Sequence, residues 1–282
     1  PPDSILRANK NVVLCVDIFF VDSIPFILAV SRNIRHVFVE VLESRAMVTR
    51  VLPLLKRLIN AYALQRFSVR EIHGDPEFEP LRTEFLKQEN GSIDVHICAP
   101  NAHVPEAERN IRTVKERDRA TVAGLPYQYY PRILKVAIVK ASARALNIIP
   151  HVNGVSEVFS PFTLIEGHHV DFKKHCALAV GSYCEVHDEP HPTNTETVRT
   201  TSGIALGPTS DLDGPWEFLS LQSGRKVVRR AWTQLPITAD VIRRVHELAD
   251  VDDDVDPDAF LHEWRPNVPI LDLPEDQLDL AL

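Results

Sequence analysis

No uninterrupted apolar run in these 282 residues approaches the roughly 18–20 needed to cross a bilayer. Nothing near the N-terminus couples a basic stretch to a short apolar one, so neither membrane nor secretory routing is expected. Cysteine is scarce. Cys15, Cys98, Cys176 and Cys184 are scattered, none forms a C-x-x-C pair, and reduced thiols in an intracellular compartment are the expectation. His168, His169, His175, Cys176, Cys184 and His187 include zinc's preferred ligand types, but their irregular spacing contains no C-x-x-C pair and argues against a zinc site. Asn90-Gly91-Ser92 matches a glycosylation sequon, yet without a secretory signal it reads as a helix-ending turn. No internal repeat is evident.

Net positive charge is also missing: the formal charge is −8. Its placement matters more than its sum. From Asp250 onward, 11 Asp/Glu face Arg265 alone, whereas the first 249 residues hold 30 Lys/Arg against 28 Asp/Glu. The part expected to fold is therefore slightly basic. Its bases cluster at Arg109, Arg112, Lys115, Arg117 and Arg119 and again at Arg225, Lys226, Arg229 and Arg230. A phosphate backbone senses such local charge, because screening limits distant charges to about 8–10 Å.

With 44% apolar residues, the chain can bury a substantial core and accommodate one large domain plus a smaller one. Residues 11–42 contain three Val-, Ile- and Phe-rich runs broken at Asp22-Ser23 and Ser31-Arg32-Asn33, the pattern of an antiparallel meander. Val48, Val51, Leu55, Leu58 and Tyr62 then recur at three- and four-residue spacings, predicting an amphipathic helix with Pro53 near its first turn. A strand ending at Gly74, a helix over 79–89 and a strand in IDVHICA follow. Pro105 opens a further helix, with Glu106 and Glu108 in its first turn, where the helix dipole favours negative charge. Glu108, Arg112, Lys115 and Arg119 share one face of it, and Ala107, Ile111 and Val114 form the adjoining apolar stripe. The helix from Pro131 closes the first domain.

The expected organisation is a first domain over 1–150, a connector over 151–177, a small β-barrel over 178–237, a terminal helix over 238–249 and an acidic, disordered tail over 250–282. Three strands, a helix, a strand, a helix, a strand and then more helices is the element order of the ribonuclease H-like α/β fold. There the first strand, the fourth strand and a later helix converge on a metal site. Asp17 interrupts the apolar run VVLCVDIFFV, and burying an aspartate costs several kcal/mol unless it is paired or binds a metal. Asp75 ends the fourth strand and Glu108 heads the basic helix. Together they make an all-oxygen set suited to a hard cation. Glu106 competes with Glu108 for the third place; Glu77 and Glu79 read as solvated or capping acids.

VDIFFV, DPEFE and PEAERNIRTVKER resemble the catalytic core of a copia-type LTR-retrotransposon integrase, part of the retroviral integrase superfamily. The intervals of 57 and 32 residues between the three carboxylates suit that family's Asp, Asp, Glu triad. SGIALGPTSDLDGPWEFLSLQSGRKVVRRAWTQLP is similar to its C-terminal segment, so the likeness spans residues 11–245. Pro76 follows Asp75 where the family usually has Asn-Gly, and the paired His and Cys of an N-terminal zinc module are missing. A piece of a larger Pol polyprotein, or a relic, is therefore expected.

The resemblance implies a metal-dependent DNA integrase that processes 3′ ends and transfers strands. Asp17, Asp75 and Glu108 would be catalytic and would bind two Mg2+ or Mn2+ ions. Arg109, Arg112, Lys115, Arg119, Arg225, Lys226, Arg229 and Arg230 would contact DNA. A homo-oligomer on element ends and target DNA, a nuclear location and a protein partner for the acidic tail are further expectations. A non-catalytic DNA- or chromatin-binding remnant and a ribonuclease H-like nuclease are the alternatives.

Overall fold

The computed structural model describes residues 1–86, 93–99, 104–152, 154–187, 198–209 and 214–254, with side chains to 250. The Asn90 sequon, His103 and the tail beyond 254 lie outside these residues. Among the described residues, no helix is long and apolar enough to cross a membrane. Two compact units are present: Pro1–Arg119 with Ser142–Val170, and Ala120–Ala141 with Asp171 onward.

In the first unit, α1 (Asp3–Asn9) leads into β1 (Asn11–Val21), β2 (Ile24–Ser31) and β3 (Val37–Val41), the expected antiparallel meander. Asp22 and Ser23 both adopt positive φ (45° and 64°), and Val21 pairs with Ile24. A two-residue turn with both centres left-handed matches the twist of the strands it joins. β4 (Ser68–Gly74) and β5 (Asp94–Ile97) add parallel to β1, giving the mixed order β3-β2-β1-β4-β5. β2 is buried along nearly its whole length, from Phe26 to Ser31, which explains its unalternating apolar sequence. At the β3 edge, buried Asn147 closes the ladder: its amide donates to Val37 O at 2.7 Å, and its carbonyl accepts from Val37 N at 2.8 Å.

Between β3 and β4 the expected helix divides. Met47–Val51 form a π-type turn closed by Leu52 N donating to Met47 O, and α2 (Leu52–Leu64) continues with Pro53 in its first turn. The wider turn leaves Val48 43% exposed, so it is not the core residue its spacing predicts, while Val51, Leu55, Leu58 and Tyr62 are buried. A 3-10 turn (Pro76–Phe78) and α3 (Glu79–Leu86) precede β5. α4 (Pro105–Ala123) and α5 (Arg132–Ile148) follow, then short α6 (Pro161–Glu166) and α7 (Phe172–His175) within the expected connector.

The second unit holds β6 (Tyr183–His187), β7 (Thr200–Pro208), β8 (Trp216–Ser220), β9 (Lys226–Arg229) and β10 (Trp232–Gln234). All pairings are antiparallel, in the order β10-β6-β7-β8-β9. The short strands of the expected barrel are present, and the ladder among the described residues runs open from β10 to β9. One cluster joins Tyr183, Ile204, Leu219 and α8 residues Val241 and Val245; another joins Cys184, Val186, Ala205, Trp216 and Phe218. α8 (Ala239–Asp254) runs five residues beyond the expected end at 249. Arg244 anchors it, donating through Nε to Leu221 O at 2.8 Å while pairing with Glu247.

Candidate functional site

The sheet order places β1 beside β4, so the two aspartates arrive on adjacent strands. Asp17 is half-buried in β1 opposite Leu28, and its Oδ1 accepts the Ile18 N–H at 2.7 Å. Asp75 stands just past β4 in extended geometry (φ −71°, ψ 167°), as the following proline demands, and its carbonyl accepts the Phe78 N–H at 2.9 Å. Gly74 allows this approach. A Cβ there would lie 3.0 Å from Val16 Cγ2 and 3.0 Å from Phe78 Cδ2, closer than ordinary contact.

Glu108 enters from α4, which packs through fully buried Ala107 and Val114 while Ile111 is half-buried. Asp17, Asp75 and Glu108 line one open cleft of about 650 Å³, with Phe19, Phe20, Arg45, Glu77, Arg112, Lys115 and Arg119 among its other walls. At about 100° per residue, Arg112, Lys115 and Arg119 return to within roughly 40° of Glu108 around the helix axis. Arg109 is turned by about 100° and does not line the cleft. Three of the four bases expected on α4 thus face the carboxylates, and the fourth does not.

The two first-turn glutamates have different surroundings. Glu106 Oε1 lies 2.8 Å from Arg32 Nε, an ion pair across 74 positions of sequence, and it is not a lining residue of the cleft. Glu77, expected to be solvated, lines the cleft and pairs with Arg45. Arg45 also lies over the Phe20 ring at 5.7 Å, and Lys115 over the Phe19 ring at 5.8 Å. Glu79 is outside the cleft and pairs with Arg82 at 3.0 Å. Asp118, buried on α4, has its carboxyl pushed up by desolvation, with Asp22 adding in the same direction. Arg45 was missed because nothing local marks it: an arginine in a loop gains meaning only from the aspartates and Glu77 that the fold brings opposite.

The three carboxylates supply only oxygen, the donor set of Mg2+ or Mn2+. Their oxygens do not form a group with all members within 4.8 Å of one another, as a single ion shared by all three would favour. Two ions about 3.5–4 Å apart accept a wider set.

In the second unit the predicted bases do not make one face. β9 alternates, and Val227 packs with Trp216 and Phe218, so Lys226 and Arg229 point to opposite sides. Lys226 is paired with Glu217 at 2.7 Å, and Arg229 donates to Val228 O at 3.0 Å. Arg225 and Arg230, at the two ends of the strand, are exposed. Among the described residues no metal-ligand grouping includes His168, His169, His175, Cys176, Cys184 or His187. His175 Nδ1 accepts the Asp171 N–H at 3.0 Å, and burial pushes the Cys184 thiol up to about 12.

No protein-family model matches the sequence, nor does any curated protein. Among solved structures, the chain is similar to the crystal structure of the catalytic core domain of BIV integrase, with 20% identity and a TM-score of 0.38. That similarity covers 54% of this chain and 92% of the other.

Proposed function

We propose that this chain is a metal-dependent polynucleotidyl transferase of the DNA-integrating kind. The observation that carries this reading is the meeting of Asp17, Asp75 and Glu108, from three separate elements, in a cleft whose further walls include Arg112, Lys115 and Arg119. The finer reading, a copia-type retrotransposon integrase cut from a Pol polyprotein, rests on the VDIFFV, DPEFE and AERNIRT motifs. Assembly as a homo-oligomer on DNA and action in the nucleus belong to that finer reading.

Asp17, Asp75 and Glu108 would hold magnesium or manganese. When bound, such ions activate a water or 3′-hydroxyl and stabilise the departing oxygen of an in-line displacement. The chain's own residues bind and orient the substrate. Arg112, Lys115 and Arg119 contact successive phosphates. The Phe19 ring steadies the Lys115 ammonium, and Arg45 neutralises Glu77, so that a fourth carboxylate in the cleft does not repel the phosphates.

The test is strand transfer of a labelled duplex with Mg2+ or Mn2+, comparing the native chain with Asp75→Asn and Glu108→Gln. Joined product from the native chain alone is the expected result. Cleavage without joining would make the protein a nuclease. Salt-sensitive DNA binding by all three proteins with no product would overturn the enzymatic reading in favour of a binding remnant.

A further inference from the structure

A second polar cluster lies outside the carboxylate cleft, where β4 meets the edge strand β5. His73 of β4 is paired with His96 of β5, and their ring centroids are 4.9 Å apart. Glu71 precedes His73 by two residues and so projects from the same side of the strand. Its Oε2 lies 2.8 Å from His73 Nε2 and 3.7 Å from His96 Nε2. One ligand atom from each of the three falls within 4.8 Å of the others. None of the three lines the cleft. Ile72, between Glu71 and His73, is fully buried in the core on the opposite face.

We propose that Glu71, His73 and His96 form a binding site for one first-row divalent transition ion of the zinc class. Two imidazoles and a carboxylate are a borderline donor set that suits Zn2+, Co2+ or Ni2+ and disfavours hard Mg2+. Metal–ligand bonds of about 2.0–2.2 Å in a tetrahedron place the ligand atoms roughly 3.3–3.5 Å apart. The observed 2.8 and 3.7 Å straddle that spacing, so small side-chain rotations suffice. Without metal, the Glu71–His73 hydrogen bond holds the carboxylate in position. Metal binding displaces the proton from that bond.

The side chains are 40% (Glu71), 23% (His73) and 56% (His96) exposed, which leaves the fourth coordination position to water. Arg32 lies within electrostatic reach of Glu71 and opposes a cation there, but its guanidinium is engaged by Glu106 at 2.8 Å. Because His73 is two residues from Asp75, the ion would fasten β5 to the end of β4 that carries the cleft's second aspartate.

The test is Co2+ titration of the full chain in the presence of excess Mg2+, which occupies all-oxygen sites and leaves the imidazoles free. Expected is one Co2+ per chain with the intense visible absorption of a low-coordinate ion, displaced by Zn2+. His96→Ala and Glu71→Gln should each weaken it at least about tenfold, since losing even an outer-shell partner commonly costs 10–100-fold. His96 is half exposed, so its replacement leaves the fold intact; far-UV circular dichroism verifies this. Zn2+ should also slow amide exchange across Asp94–Ile97 in the native chain and not in His96→Ala. Co2+ binding of equal strength in the native chain and His96→Ala, or no visible band in the native chain, overturns the proposal.

Discussion

Replacing Gly74 by alanine tests how the two aspartates are brought together. The new Cβ would meet Val16 Cγ2 and Phe78 Cδ2 at 3.0 Å and Phe78 Cγ at 3.1 Å. Val16 and Phe78 are fully buried, so neither can retreat into solvent. Overpacking of this kind costs about 1–3 kcal/mol. The lost glycine flexibility in the unfolded chain returns about 0.4–1 kcal/mol, leaving a net loss of about 1–2 kcal/mol. The strain also has a direction: Val16 adjoins Asp17 and Gly74 adjoins Asp75, so relieving the clash moves the carboxylates apart. Trp216, Trp232 and Trp264 all lie beyond residue 171 in sequence, so the first unit has no tryptophan of its own. Amide exchange of β4 peptides, read by mass spectrometry, reports on it directly. Expected is faster exchange over Ser68–Gly74 in Gly74→Ala, partly restored by adding Val16→Ala, which removes one of the clashing groups. Native exchange rates in the single variant would refute the steric account.

Two further predictions follow from the same unit. His36 is buried against Tyr62, and desolvation lowers its value from 6.5 to about 4. Between those values the unfolded chain takes up a proton that the folded chain refuses. Its contribution is intact above pH 6.5 and falls as pH drops toward 4, by about 3 kcal/mol in all; identical pH slopes of unfolding free energy for the native chain and His36→Gln would remove this assignment. On the proposed reading, Arg112→Ala and Lys115→Ala should each reduce the slope of log affinity against log salt by about 1, whereas Arg109→Ala should not. Fluorescence anisotropy on a short duplex measures all three, and equal effects at Arg109 would place the DNA elsewhere.

The meander and the elements that carry the three carboxylates were legible because each has a local signature. Asp17 interrupts an apolar strand, Asp75 lies between a glycine and a proline, and Glu108 shares a helical face with bases at i+4, i+7 and i+11. What stayed hidden depends on contacts across the chain. The partner of Glu106 is one such contact: Arg32, 74 residues away, is not announced by anything in the helix's first turn. Val48 fits the amphipathic period but falls in a turn wound wider than an α-helix. Lys226 and Arg229 look like one patch in sequence, yet strand alternation separates them. Glu71, His73 and His96 are inconspicuous in sequence, because the third ligand comes from a neighbouring strand whose register no short motif encodes.

α4 acts as a ruler. A helix rises about 1.5 Å per residue, so Arg112, Lys115 and Arg119 stand roughly 6, 10 and 16 Å along the axis from Glu108. On the proposed reading, the reacting bond and the phosphates gripped beside it are fixed to one stiff rod, and their offset cannot drift independently of the chemistry. A single residue inserted after Glu108 would swing all three bases by about 100°. The carboxylate would stay in the cleft while its phosphate contacts turned away, uncoupling where the substrate is held from where it is cut.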